Sequence, residues 1–319
     1  MKQLTQENVR SAMLAALGLD PQPNLRVSQK DILATIQKMG YLQIDSIQAV
    51  RRSQYLVLWS RLGDYDVDWL DQLYKKGKLF EYYAHGICYL PIEDYPIFRG
   101  MILFDDRTGN GWQKWAGEHP EVIERVLKVI REKGPISSTD FESQTISTGW
   151  GNVKHERLAL NRLFSSGLLM VSHRENFRRY FDLRERILPD WDDADALDFK
   201  TARERLILKT ISALGVARED WISPYYYLPK TGLAEVLADL VADDRLHKVG
   251  VEGWETPAYI LPDRWEMVQS STSGDRSPTR TTLLSPFDPL VSDRDRALDL
   301  FNFDYKMESY TPIKDRKYG

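Results

Sequence analysis

The chain has one cysteine, Cys88, in 319 residues, which excludes an intrachain disulfide framework and any zinc or iron–sulfur site built from cysteines alone. Its five histidines, His85, His119, His155, His173 and His247, are widely scattered, so no structural metal and no cofactor is expected. No run approaches eighteen consecutive apolar residues, as a membrane helix would need. The N-terminus, MKQLTQENVR, lacks the charged-then-apolar layout of a secretion signal. A cytoplasmic or nucleoid-associated protein with no membrane partner is expected. Excess charge is missing too: the formal net charge is −4, which by itself argues mildly against a polyanion-binding protein.

The charge is unevenly spread. Between Lys154 and Arg186 stand eight basic residues (Lys154, Arg157, Arg162, Arg174, Arg178, Arg179, Arg184, Arg186) against four acids, a net +4. Asp190, Asp192, Asp193, Asp195 and Asp198 follow with no basic residue among them. Such segregation can steer a polyanion to one face, although a merely solvated surface gives the same pattern. At 42% hydrophobic and 28% charged residues, the composition is that of an ordinary globular protein, so disorder is not expected to dominate.

One supersecondary pattern recurs. Leu233, Val236, Leu237, Leu240 and Val241 form a single helical stripe, followed by strands over Arg245–Val251 and Ala258–Leu261 around a Glu252-Gly253 turn. Earlier, Val122, Ile123, Val126, Val129 and Ile130 mark a helix ended by Gly134-Pro135. Ser138 or Thr139 can cap a short second helix through Asp140–Glu142, and a third helix spans about His155–Ser165. Leu168–Ser172 and Tyr180–Leu183 then read as strands around a polar tip, His173 to Arg178. A fainter copy starts at Ser28 with Asp31 three residues on, lines Ile32, Ile36 and Met39 on one face, closes at Gly40 and continues extended from Tyr41 to Ile47. The expected fold class is α+β, predominantly helical, with tandem winged-helix modules at 1–115, 116–190 and 191–265. A linker around Gln269–Arg280 opens an irregular or strand-bearing segment, 266–319.

Within Gly40–Ile47, Leu42 and Ile44 alternate with Gln43 and Asp45, so the two polar side chains share one face of extended backbone. A carboxylate beside an amide can hydrolyse an N-glycosidic bond. Asp45 would orient or deprotonate water and stabilise positive charge on the sugar, while Gln43 positions the water. By spacing alone a Gln-x-Asp pair next to a strand is more often a solvated edge than a catalytic pair. Arg51, Arg52, Ser53 and Tyr55 follow as donors for phosphates. Tyr82, Tyr83 and His85 supply aromatic surface and one titratable ring able to line a pocket, with a structural hydrogen-bonding role the alternative for His85. Arg174, Phe177, Arg178 and Arg179 read as a hairpin entering a groove, Phe177 stacking or wedging, or else packing on its own module. Trp112, Trp115, Trp150, Trp191 and Trp254 are expected to pack.

The blocks LQIDSI, RRSQYLVLWSRLG, EYYAHGICYLP, LPDWDD, LLSPFDPLV and FDYKMESYTP together resemble the YcaQ/AlkZ-type winged-helix DNA glycosylases, from about Leu33 to Gly319. The resemblance implies base excision from double-stranded DNA carrying bulky N7-alkylated or crosslinked guanine, and it assigns catalysis to Gln43-Ile44-Asp45. The Asp form is similar to the YcaQ branch, with crosslink unhooking and general repair in place of antibiotic self-resistance. No lysine adjoins the pair, so a monofunctional enzyme with water as nucleophile is expected. The DNA-contact set is Arg51, Arg52, Ser53, Tyr55, Lys154, Arg157, Arg162, Arg174, Phe177, Arg178 and Arg179, and the pocket set Tyr83 and His85. The resembling proteins continue past YTP into strands, so a C-terminal truncation exposing Leu283–Tyr310 is expected. Two rivals stand: a non-catalytic winged-helix regulator indifferent to Asp45, and an interaction fragment lacking those strands.

Overall fold

A computed structural model of the chain describes residues 2–20, 26–104, 115–141, 145–148, 151–270, 280–309 and 311–317. Strand β1 (Lys2–Leu4) leads into helix α1 (Gln6–Ala16), opened by a capping box in which Thr5 and Asn8 exchange bonds. Helix α2 (Gln29–Met39) opens on the Ser28/Asp31 capping box read from the sequence, buries Ile32, Ile36 and Met39, and ends on Gly40. Then come β2 (Leu42–Gln43), α3 (Ser53–Leu62), α4 (Asp68–Lys75), β3 (Leu79–Ala84), β4 (Gly86–Pro91) and α5 (Tyr95–Phe104). The next stretch holds α6 (Pro120–Lys133), β5 (Thr145–Thr148), β6 (Gly151–Lys154), α7 (His155–Ser165), β7 (Leu169–Glu175) and β8 (Arg178–Leu183). The last comprises α8 (Phe199–Leu214), β9 (Ala217–Arg218), α9 (Glu219–Tyr225), α10 (Leu233–Ala242), β10 (His247–Val251), β11 (Ala258–Ile260), α11 (Trp265–Ser270) and α12 (Arg294–Phe301). The fold is α+β, predominantly helical, with four small sheets among the described residues.

The chain gathers into two units, the first assembled from 1–69, 84–88 and 206–319, the second from 70–83 and 89–205. In the first, β1 pairs in parallel with β10, and β9 joins the far side of β11, giving the order β1-β10-β11-β9. Side chains from α1 and α2, among them Val9, Met13, Ile32 and Ile36, are fully buried. The Arg61 guanidinium on α3 is buried with them and grips both oxygens of Asp288 at 2.5 and 2.9 Å, while its Nε donates to the Leu17 carbonyl.

In the second unit, α6 and α7 pack beside the β7–β8 hairpin, and Ile136 adds one bridge to Phe181. The short helix expected after Ser138 is instead a turn: Asp140 Oδ2 accepts from the Ser137 amide and the Ser137 and Thr139 hydroxyls pair, satisfying locally the groups a helix would have used. Glu142 lies outside the described residues, as do Trp112 and Trp150. The expected polar tip shrinks to two residues, Asn176 and Phe177, with φ of 48° and 71°, because His173, Arg174 and Glu175 are rungs of the ladder with Tyr180, Arg179 and Arg178. Two successive left-handed residues match the twist of a tight hairpin. The acidic run is tied into the fold: Asp193 takes two bonds from Arg99 and one from Trp191, while Asp198 caps α8 through Thr201.

Candidate active site

The Gln-Ile-Asp segment is launched by Gly40, which ends α2 at φ +80 and donates to the Ile36 and Gln37 carbonyls. Only glycine fits here, because a Cβ would lie 2.0 Å from the Tyr226 hydroxyl as well as carrying the left-handed backbone. The chain then runs extended. Leu42 and Ile44 are buried on one side, and the Ile44 amide donates to the Ile87 carbonyl at 2.8 Å, tying β2 to β4. Tyr41, Gln43 and Asp45 alternate to the other side, as the strand period requires.

Gln43 is half-buried. Its Oε1 is shielded from solvent and accepts no hydrogen bond among the described residues. Its amide nitrogen packs over Gly86, where a Cβ would come within 3.2 Å. A buried carbonyl oxygen without a donor is costly and calls for a partner, such as a water molecule or substrate. Asp45 is half-buried as well. Its Oδ1 accepts from the Ile47 amide at 2.7 Å in a local turn, and its backbone amide approaches Gln54 Oε1 at 3.5 Å. Oδ2 accepts nothing among the described residues. The Gln43 amide oxygen and the Asp45 carboxylate lie on one face of the extended segment, and both are groups that accept a hydrogen bond from water.

His85 forms the turn between β3 and β4. Its Nδ1 lies 3.0 Å from the Pro224 carbonyl, which can only accept, so Nδ1 carries the proton. Burial lowers its pKa below the ordinary histidine value, leaving a neutral ring with a bare Nε2 at pH 7. The structural role considered for His85 is thereby present, together with a stack: its ring lies parallel to Tyr41 on one side (6.0 Å, 13°) and to Tyr227 on the other (5.0 Å, 19°). The run Tyr225-Tyr226-Tyr227 meets the motif-bearing segment twice and His85 once. Tyr225 donates to the Met39 carbonyl at 2.7 Å, Tyr226 rests on Gly40, and Tyr227 covers His85. A triple tyrosine 180 residues downstream carries no local signal of this pairing.

Downstream of the motif, Ile47, Val50 and Arg51 are exposed, Arg52 is the N-cap of α3, and Tyr55 is half-buried. Ser53 is buried, its hydroxyl paired with Ser285 at 2.8 Å, so it is out of reach of a phosphate.

In the second unit the expected arginines separate by environment. Arg174 is committed to Glu81, which takes two bonds at 2.7 Å, and to the Phe177 carbonyl, with its guanidinium 4.6 Å from the Phe177 ring centre. Arg179 is half-buried against Phe164 and Phe181 and donates to Asn161. Arg157 and Arg162 on α7 are exposed, as is Arg178, which bonds Thr139. The side chain of Lys154 lies outside the described residues. Tyr83 is exposed, with its ring against Phe164 and Tyr82.

A family model described as DNA glycosylase AlkZ-like matches residues 36–318. The chain belongs to the AlkZ-like DNA glycosylase family. The Gln43–Asp45 segment, the tyrosine run and the Arg61–Asp288 pair all lie inside the matched span. Among solved structures, the Streptomyces sahachiroi DNA glycosylase AlkZ is similar with a TM-score of 0.63 at 15% identity, over 93% of this chain and 82% of that one. At that identity the likeness is one of fold. In this chain the Gln-Ile-Asp segment follows directly on α2, and the Tyr41–His85–Tyr227 stack adjoins it through Tyr41.

Proposed function

We propose that this AlkZ-like chain is a monofunctional DNA glycosylase that releases N7-alkylguanine from duplex DNA and unhooks N7-linked interstrand crosslinks. Gln43 and Asp45 are its catalytic pair and water is its nucleophile. The observation that carries this reading is the Gln43 amide oxygen, buried and accepting no hydrogen bond among the described residues, on the same face of the extended segment as the Asp45 carboxylate. An N7-alkylated guanine is already a cation, so it departs without a general acid. What remains for the protein is to position water and to stabilise the positive charge that develops on the sugar, and the Asp45 carboxylate together with a water-holding Gln43 does both.

The helix–helix–hairpin order of α6, α7 and β7–β8, and of α9, α10 and β10–β11, supports the reading of these segments as winged-helix modules inside the two units. The module boundaries near 115, 190 and 265 belong to that proposal. Exposed Arg51, Arg157, Arg162 and Arg178 are the proposed phosphate contacts, with Arg52, Tyr55 and Lys154 beside them. Arg174 and Arg179 shape the hairpin, and Phe177 at its tip is the residue proposed to meet a groove.

Release of N7-methylguanine from an alkylated duplex by the purified chain tests the reading. It predicts free base, an intact sugar–phosphate backbone at the abasic site until alkali is added, and resolution of a denatured crosslinked duplex into two strands. Sequence-selective binding to undamaged DNA with no base released would favour the regulator instead.

A further inference from the structure

Tyr227 is 57% exposed and sits at φ +51, a left-handed conformation that glycine or asparagine adopts far more readily than a ring-bearing residue. A large aromatic held in that region, with its ring open to solvent, is an expensive way to build an ordinary turn. The ring is nevertheless oriented. It stacks on His85, and His85 is itself pinned by the Pro224 carbonyl and by the parallel ring of Tyr41. The residue after His85 is Gly86, the one against which the Gln43 amide packs. Tyr227 therefore displays an aromatic face stacked on His85, the sequence neighbour of the glycine that the Gln43 amide packs against, with all of its supports inside one unit.

We propose that the open face of Tyr227 binds a planar purine cation, and that it makes Tyr227 a specificity-determining residue for cationic over neutral bases. The assignment rests on the reading that base release occurs at Gln43 and Asp45. A tyrosine ring presents its negative face to a cation, and the attraction grows as water is excluded. The ring beneath it suits that task. His85 is neutral at pH 7, so it adds no positive charge against an incoming cation, and Arg296 and Asp293, the charged groups that His85 senses, are of opposite sign.

The test is equilibrium binding of the full chain to two duplexes that differ only in one base, guanine or its N7-methyl cation, the latter held on a 2′-fluoro sugar that resists hydrolysis. The wild-type chain should prefer the cationic duplex, and Tyr227→Phe should keep that preference. Tyr227→Leu should lose about tenfold of it, with affinity for unmodified duplex and thermal melting unchanged, since the side chain is exposed. In turnover the same Leu variant should raise KM while leaving kcat within about threefold. Equal preference in wild type and Tyr227→Leu would overturn the proposal. So would a loss shared by both duplexes, which is what a residue that merely covers His85 would give. If the wild type prefers the cation yet releases no base, the catalytic reading fails while the Tyr227 assignment stands.

Discussion

Asp288→Asn should unfold this protein far more readily than any exposed charge change. Arg61 and Asp288 are 4% and 0% exposed, and the carboxylate meets the guanidinium through two bonds at 2.5 and 2.9 Å. Arg61 also reaches the Leu17 and Val57 carbonyls and the Ser60 hydroxyl, so the neutral amide would leave a buried cation with acceptors but no counter-charge. Removing one partner of such a pair costs about 3–5 kcal/mol, a factor of roughly 10² to 10³ or more in the folding equilibrium. In urea, followed by tryptophan fluorescence, the transition that reports the first unit should move down by about 1–2 M with its slope kept. The double variant Arg61→Met with Asp288→Leu removes both charges together, and its loss should be smaller than that of Asp288→Asn alone. A single variant within about 1 kcal/mol of wild type, or a double variant as costly as both singles added, would refute the reasoning.

Gly86→Ala should act on the candidate site through geometry. It carries about 1–2 kcal/mol of left-handed backbone strain at φ +82 and pushes the Gln43 amide from a contact of 3.2 Å; base release should slow by about tenfold or more, and unchanged turnover would show that Gln43 tolerates displacement. Arg162→Ala and Arg178→Ala should each lower the slope of log affinity against log salt by about 0.9 with melting unchanged. Arg174→Ala should instead lower the melting temperature, because it strands the buried Glu81 carboxylate; a reversed pattern would contradict the division drawn among the arginines. Asp193 has its pKa lowered from 3.8 to about 2, chiefly by its bonds from Arg99. The folded value lies below the unfolded one, so the stabilisation is present above about pH 4 and is lost as pH falls towards 2. It amounts to about 1 kcal/mol after solvent screening at a half-exposed side chain. Acid melts of Asp193→Asn should converge with wild type over that window, and a constant difference down to pH 2 would count against the assignment.

Much of the local structure was legible in the sequence because it is local. The Ser28/Asp31 capping box, the Gly40 stop, the α10 stripe and the alternation of Leu42 and Ile44 with Gln43 and Asp45 are each written within a turn or two of chain. What could not be read is pairing at long range. Nothing near Lys2 announces that β1 lies along β10, and neither Arg61 nor Asp288 names the other across more than two hundred residues. Charge counting also misled in part. Arg174, Arg184 and Arg186 contributed to the basic segment, yet they face Glu81, Asp193 and Asp182, so the field offered to a polyanion is smaller than composition suggested. Ser53 carried a donor's chemistry but sits in the core against Ser285. Neither Tyr227 nor His85 announces its role locally, because the stack that joins them is formed only by folding.

The most direct test of the central claim is the single-turnover rate of N7-methylguanine release with enzyme in excess, for wild type, Gln43→Ala and Asp45→Asn. Both side chains are partly exposed at the end of β2, so both variants should fold and bind duplex DNA within about twofold of wild type. The predicted result is a rate lowered by about 10² or more in each. Release at the wild-type rate from Asp45→Asn, with folding and binding intact, would contradict the assignment of catalysis to this pair.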